Sequence, residues 1–262
     1  MDFSPVEQNL RESFRVLAAG RPAGEVRDYS GVTIASSGAL FQMFNAAFLA
    51  GQVTAAPGEL EQRVATAAVH FRARGLGWSF WVCESLIDRR ALRRAGRVFA
   101  SQGLHLAVQL PGMVAGRVLP PRRALPAIDI RRVESEPTRQ AFCDIGAICF
   151  HVPVPWFREI FLWEPLWNDG FAGFLGYVDG DPVATAATVV GGGAIGVYNV
   201  ATLPHHRRQG YGEAVMRHAI DAARRSTGIE RSILQSTDFG LNLYQSMGYQ
   251  TVTTVAVYAS ES

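Results

Sequence analysis

Lysine is absent: all 25 basic residues of this 262-residue chain are arginine, which with abundant alanine and glycine reads as codon usage in a GC-rich genome. A long tract of one charge is also missing. The net charge is +2, and the pairs Arg122-Arg123 and Arg131-Arg132 read as solvated surface, so no nucleic-acid footprint is expected. Cysteine is scarce. Cys83, Cys143 and Cys149 show no C-x-x-C spacing and read as ordinary buried thiols in a reducing compartment. No long apolar run occurs. The stretch "ALFQMFNAAFLAGQV" is broken by Gln42, Asn45 and Gln52 and is too short to span a bilayer, and "MDFSPVEQNLRESFRV" carries acids unlike a signal peptide. A soluble, cytoplasmic protein that binds neither membrane nor nucleic acid is expected, and a homodimer stays open.

What is present can build a core: 48% of residues are hydrophobic and 18% charged. "LPPRRALP" (119–126) is too proline-rich for helix or central strand and divides the chain into domains 1–118 and 127–262. After it, "IDIRRV" alternates like a strand, Ser135-Glu136-Pro137 resembles a helix start, and "VPVPWFREIFLWEPLW" is a second helical stretch. "FAGFLGYV", "VATAATVV" and "AIGVYNVATL" read as antiparallel strands joined by the turns "DGDP" and "GGG". A helix ending at Gly228, the strand "RSILQST", the short helix "FGLNLYQSM" and the strand "YQTVTTVAVY" complete the order β-α-α-β-β-β-α-β-α-β.

The first part repeats the end of that order, with "LFQMFNAAFL", a helix face of Leu60, Val64, Ala68 and Phe71, "WSFWVCES", "DRRALRRAGRVFASQG" and "LHLAVQL". "VFASQGLHLAV" and "LYQSMGYQTVTTV" each run a helix through glycine into a strand, the mark of a diverged internal repeat.

The segment "PHHRRQGYGEAVM" sets arginines and glycines in front of an apolar helix. The first turn of a helix has N–H groups without intrahelical partners, its dipole favours an anion, and glycine lets that anion approach the backbone. The segment reads as a phosphate cradle, although Gly210 and Gly212 also suit a tight turn. His205 and His206 are adjacent on one loop without carboxylate or thiol neighbours, so no metal site is expected there.

The element order, with "VATLPHHRRQGYGEAV" and "LYQSMGYQTV", resembles the GNAT superfamily of acyl-CoA-dependent N-acetyltransferases over residues 128–258. Arg207, Gly210 and Gly212 match its phosphate-loop pattern R/Q-x-x-G-x-G/A. The resemblance implies a mixed α/β (α+β) fold with a mostly antiparallel, splayed sheet flanked by helices, here in tandem. It implies acetyl-CoA as co-substrate, with its pyrophosphate on the amides of Arg208, Gln209, Gly210, Tyr211, Gly212 and Glu213, the Glu213 carboxylate acting as a helix cap. The strand through Val200, Ala201 and Thr202 would bind the pantetheine arm along a bulged edge, with Asn199 either at the bulge or a plain surface residue of the strand.

Tyr244 matches the tyrosine that protonates the departing thiolate, and it also suits plain packing of the short helix. Ser236 and Asn242 are weaker cofactor contacts. No carboxylate lies on "AIGVYNVATL" to serve as base, which leaves a water relay or the free amine, with Asp238 and His151 as lesser candidates. The implied reaction is direct acyl transfer to an amine. Trp156, Phe157, Trp163 and Trp167, with Glu159 and Glu164, would wall the acceptor site if they do not simply pack the core, and favour a small acceptor with an apolar body. The alternative is a non-catalytic acyl-CoA-binding or sensor protein.

The first half lacks the loop pattern. No arginine stands between Arg27 and Arg63, Glu59 and Glu61 open its helix, and Pro57 removes a donor, so a degenerate domain and one CoA per chain are expected.

Overall fold

The computed structural model describes residues 2–19, 21–168 and 170–261. Its elements begin with α1 (Ser4–Ala18), β1 (Glu25–Tyr29), β2 (Val32–Ser36), β3 (Asn45–Leu49), α2 (Glu59–Arg72) and β4 (Ser79–Cys83). There follow α3 (Arg89–Ala100), β5 (Leu104–Ala115), β6 (Asp129–Arg132), α4 (Glu136–Phe150) and α5 (Val154–Phe161). The chain closes with β7 (Ala172–Val178), β8 (Asp181–Gly191), β9 (Ala194–Thr202), α6 (Tyr211–Thr227), β10 (Ser232–Gln235), α7 (Asp238–Ser246) and β11 (Gln250–Ser260). These form two compact units, each discontinuous in sequence. One holds Leu17–Gly112 and the residues from Thr251 onward, the other Ser4–Val16 and Met113–Gln250.

In the first unit the strands run β1-β2-β3-β4-β11-β5. β3 and β4, the strands on either side of α2 in sequence, are parallel, whereas β11 from the end of the chain lies antiparallel to β4. The expected face of α2 is buried through Leu60, Val64, Ala68 and Phe71. Aromatic rings knit this core: Phe71 stacks on Trp78 at 5.0 Å, and Phe99 on Tyr258 at 4.0 Å. Burying each such side chain contributes about 1.5–3 kcal/mol.

In the second unit the order is the end of β5, then β10-β9-β8-β7-β6. Ser135 starts α4 with a capping box closed by Thr138. β8 is buried from Val183 to Val189 and built of Val, Ala and Thr, small enough for α4 and α6 both to pack on it. The β7–β8 and β8–β9 turns place Asp179, Gly180, Gly192 and Gly193 at positive φ, as tight hairpins require. The sheets are mixed and mostly antiparallel, with helices flanking them, as expected.

Three features differ from the sequence reading. α1 and the β1–β2 hairpin were not anticipated. The strand expected from Leu40 is confined to β3, because Gln42–Phe44 form a 3-10 turn. Asn45 enforces that turn: its Nδ2 donates to the carbonyls of Ala39 and Gly77, and its Oδ1 accepts from Gly38 N–H and Ser36 Oγ.

Candidate active site

Among the described residues β9 pairs in parallel with β10 through Ile195–Ser232 and Gly196–Ile233, and no ladder joins the two strands beyond these pairs. On its other side β9 slips register against β8 between Thr185 and Ala187. The extra residue is accommodated by Asn199 at φ 49°, and its carbonyl accepts a hydrogen bond from Thr185 Oγ1 at 2.7 Å. The bulge falls where Asn199 was expected to sit. It turns Val200, Ala201 and Thr202 onto the part of β9 that is free of β10.

After β9, Pro204–His206 make a 3-10 turn, and Arg208 (φ 64°) and Gly210 (φ 90°) adopt left-handed conformations before α6. Such alternation turns successive N–H groups into one concavity. Among the described residues the amides from Arg208 to Glu213 find no acceptor, and Ala214 N–H is the first to bond, to Gly210 O. A side chain on Gly212 would put its Cβ 2.7 Å from Thr202 Oγ1, and one on Gly210 would meet Pro126 Cδ at 3.0 Å. Glycine therefore lets the loop pack closely against Thr202 and Pro126. Arg207, Arg208 and Gln209 are exposed around it, and Tyr211 is half-buried.

Two side chains behave differently from expectation. The Glu213 carboxylate is gripped by Arg217 at 2.8 Å instead of capping α6. Cys149, expected to be buried, is half-buried and donates from Sγ to Thr202 O at 3.3 Å, a carbonyl that also accepts from Arg207 Nε at 3.0 Å. Burial raises the Cys149 pKa while Arg207 opposes the rise. Neither Cys149 nor Thr185 carries a local sequence signal, since their partners lie 53 and 14 residues away.

Tyr244 lies on α7, which follows β10 after two residues. Its ring covers Gly240, where a Cβ would approach Cε2 to 2.5 Å, and meets Tyr249 edge-on at 6.0 Å. Among the described residues its hydroxyl has no hydrogen-bond partner, and burial pushes its pKa up to about 12. The phenol is protonated at neutral pH and its proton is uncommitted. Ser236 is buried with its hydroxyl on Thr237 O at 2.7 Å, and Asn242 is exposed on α7. Asp238 and His151 are both exposed. Of the aromatic run, Phe157 is buried, and Trp167 packs edge-on against Phe142 and Phe171 and donates from Nε1 to Phe161 O. Those two rings serve the core. Among the described residues the buried Trp163 Nε1 has no partner, and Glu164 lies 3.8 Å from Arg139.

The first unit starts a helix in the same way and ties a carboxylate across the loop before it. Gly58 starts α2 at φ 82°, as Gly210 starts α6. Here the Glu59 carboxylate takes the Thr54 amide at 2.9 Å and the Thr54 hydroxyl, and pairs with Arg63. Arg63 in turn reaches the carbonyls of Gly51 and Gln52. The Thr54 bonds, more than Arg63, hold the Glu59 carboxyl below its ordinary pKa. Among the described residues no group of three or more His, Cys, Asp or Glu side chains is arranged to hold a metal ion, and no helix is long and apolar enough to cross a membrane.

Residues 169–251 match the family model described as acetyltransferase (GNAT) domain. No curated protein matches the chain. Among solved structures, a GCN5-related N-acetyltransferase from Kribbella flavida is similar with a TM-score of 0.70 at 21% identity, over 96% of this chain and 93% of that one. A functionally unknown conserved protein from Staphylococcus epidermidis gives 0.64 at 16%, over 91% and 94%. A tandem GNAT protein from the clavulanic acid biosynthesis pathway gives 0.57 at 11%, over 96% and 87%. At these identities the likeness is one of fold, and a tandem arrangement fits it.

Proposed function

The chain carries a GNAT-family acetyltransferase domain, and on that premise we propose that its second unit binds acetyl-CoA and transfers the acetyl group directly to an amine of a small-molecule acceptor. The observation that carries this reading is the concavity of unpaired amides between Arg208 and Glu213, directly after a bulged and partly unpaired β9. An anionic pyrophosphate suits that concavity, because the donors are fixed and the α6 dipole adds positive potential. Arg207 and Arg208 supply the neighbouring charge. Val200 and Thr202 offer a strand edge to an amide-bearing arm, while Ser236 and Asn242 rank lower as contacts.

Acetyl-CoA supplies an activated acyl group and a thiolate leaving group. The chain supplies position and a proton. Backbone N–H on the bulged segment is the polarising donor for the thioester carbonyl. Tyr244 Oη is the proton source for the departing sulfur, since the buried phenol is protonated at neutral pH and its proton is held by no partner among the described residues. No carboxylate lies on β9, so the acceptor amine enters unprotonated or loses its proton to water.

The test is a screen of amine acceptors with acetyl-CoA, reading free thiol together with acetylated amine. Acceptor-dependent thiol release is expected, strongest for small amines with an apolar body. Tight CoA binding without turnover on any acceptor would favour a non-catalytic acyl-CoA sensor.

A further inference from the structure

Asn9 of α1 is fully buried against the β8–β9 hairpin. Its Nδ2 lies 3.0 Å from Val189 O, 2.9 Å from Gly191 O and 3.0 Å from Ala194 O, so one amide group serves both strands. Its Oδ1 accepts from Tyr198 Oη at 2.7 Å. The approach depends on glycine, since a Cβ on Gly196 would stand 1.8 Å from Asn9 Oδ1. Gly191 and Gly192 are likewise overlain by Glu12 and Gln8.

The place of this contact matters more than its strength. Gly196 is the last β9 residue paired with β10. Tyr198 comes two residues later, and the left-handed Asn199 that makes the bulge follows it directly. Along β9 the order is therefore last ladder pair, side-chain clamp, bulge, and then the edge from Val200 to Thr202. A buried carboxamide with every polar group engaged is costly to disturb, because any shift of β9 leaves a donor or acceptor unmade.

We propose that Asn9 and Tyr198 form a positioning pair that fixes where β9 parts from β10, and so sets the edge that receives the acyl-CoA arm. The pair touches neither reacting atoms nor co-substrate. It acts through the Asn199 bulge. This inference rests on the acyl-CoA reading of the second unit, and it assigns a positioning role to a helix that the loop motif does not include.

The experiment compares Asn9→Ala, Tyr198→Phe and the double variant in the full chain, with Leu10→Ala as a control that loosens the same buried helix face without touching the carboxamide. CoA affinity is measured by calorimetry below every melting temperature, and hydrogen exchange of the amides from Val197 to Thr202 is measured without ligand. Tyr198→Phe should weaken CoA about 3- to 10-fold, as expected for one lost buried hydrogen bond. Asn9→Ala should weaken it at least as much, and the double variant less than the two single effects combined, since in Asn9→Ala the hydroxyl has already lost its bond to the carboxamide and keeps only Ser13. Exchange at those amides should quicken in both single variants and stay near the parent rate in Leu10→Ala.

CoA affinity and exchange unchanged in Asn9→Ala and Tyr198→Phe would overturn the proposal, as would equal effects from Leu10→Ala. If the parent binds no CoA, the acyl-CoA reading fails on its own, and the exchange comparison still decides whether the pair sets the geometry of β9.

Discussion

Tyr244 is a phenol whose surroundings favour keeping its proton. Burial raises its pKa to about 12, so in the folded state it stays neutral across the range where enzymes work. Replacing it by phenylalanine keeps the ring over Gly240 and removes the proton. Turnover should fall about 10²–10⁴-fold with CoA affinity unchanged, measured by steady-state kinetics and calorimetry on one preparation. Equal turnover, with chemistry limiting, would leave Tyr244 a packing residue. His70 in the first unit shows the opposite shift. It is buried, its Nδ1 faces Tyr29 Oη at 3.2 Å, and burial lowers its pKa. A histidine depressed in the folded state costs nothing above its unfolded pKa of about 6.5, and it removes stability as pH falls below that value, because the unfolded chain takes the proton first. The melting temperature should therefore drop between neutral pH and pH 5, and the drop should be shallower in His70→Gln. At this scale Arg207, Gly210 and Gly212 were legible because a local pattern encodes them. Cys149 and Thr185 were not, because their bonds join distant segments that only the fold brings together.

Among elements, the proposed site rests on the start of α6. Gly210 holds φ 90°, a conformation that a β-branched residue reaches only under strain of about 1–3 kcal/mol. Gly210→Val should lower the melting temperature modestly and abolish CoA binding, since its side chain would also meet Pro126. Thermal melts and titrations of this variant check both effects; CoA affinity equal to the parent's would place the cradle elsewhere. The elements with clean periodicity and turn residues, β7 through α7, follow the sequence closely. α1 did not declare itself, because its buried face carries Asn9 and Ser13 among Val6, Leu10 and Phe14. Those polar residues break the apolar stripe by which a helix is recognised, yet Asn9 is buried because the hairpin needs its hydrogen bonds. β1 was equally silent, being exposed along most of its length.

For the molecule as a whole, the two units set the same turn to different ends. Each begins a helix at a left-handed glycine after a strand, Gly58 in one and Gly210 in the other. In the first unit the anion is built in: Glu59 occupies the Thr54 amide and hydroxyl and is neutralised by Arg63. In the second the amides stay open beside exposed arginines. An anion arriving at the first turn would have to displace the contacts of Glu59 with Thr54 and Arg63, whereas the amides from Arg208 to Glu213 have no acceptor to lose among the described residues. Calorimetric titration of the full chain with CoA tests this asymmetry and the proposed function together. One saturable site per chain, lost in Gly210→Val while the variant still melts cooperatively, is the predicted result. Two sites per chain, or no binding by the parent protein, would contradict it.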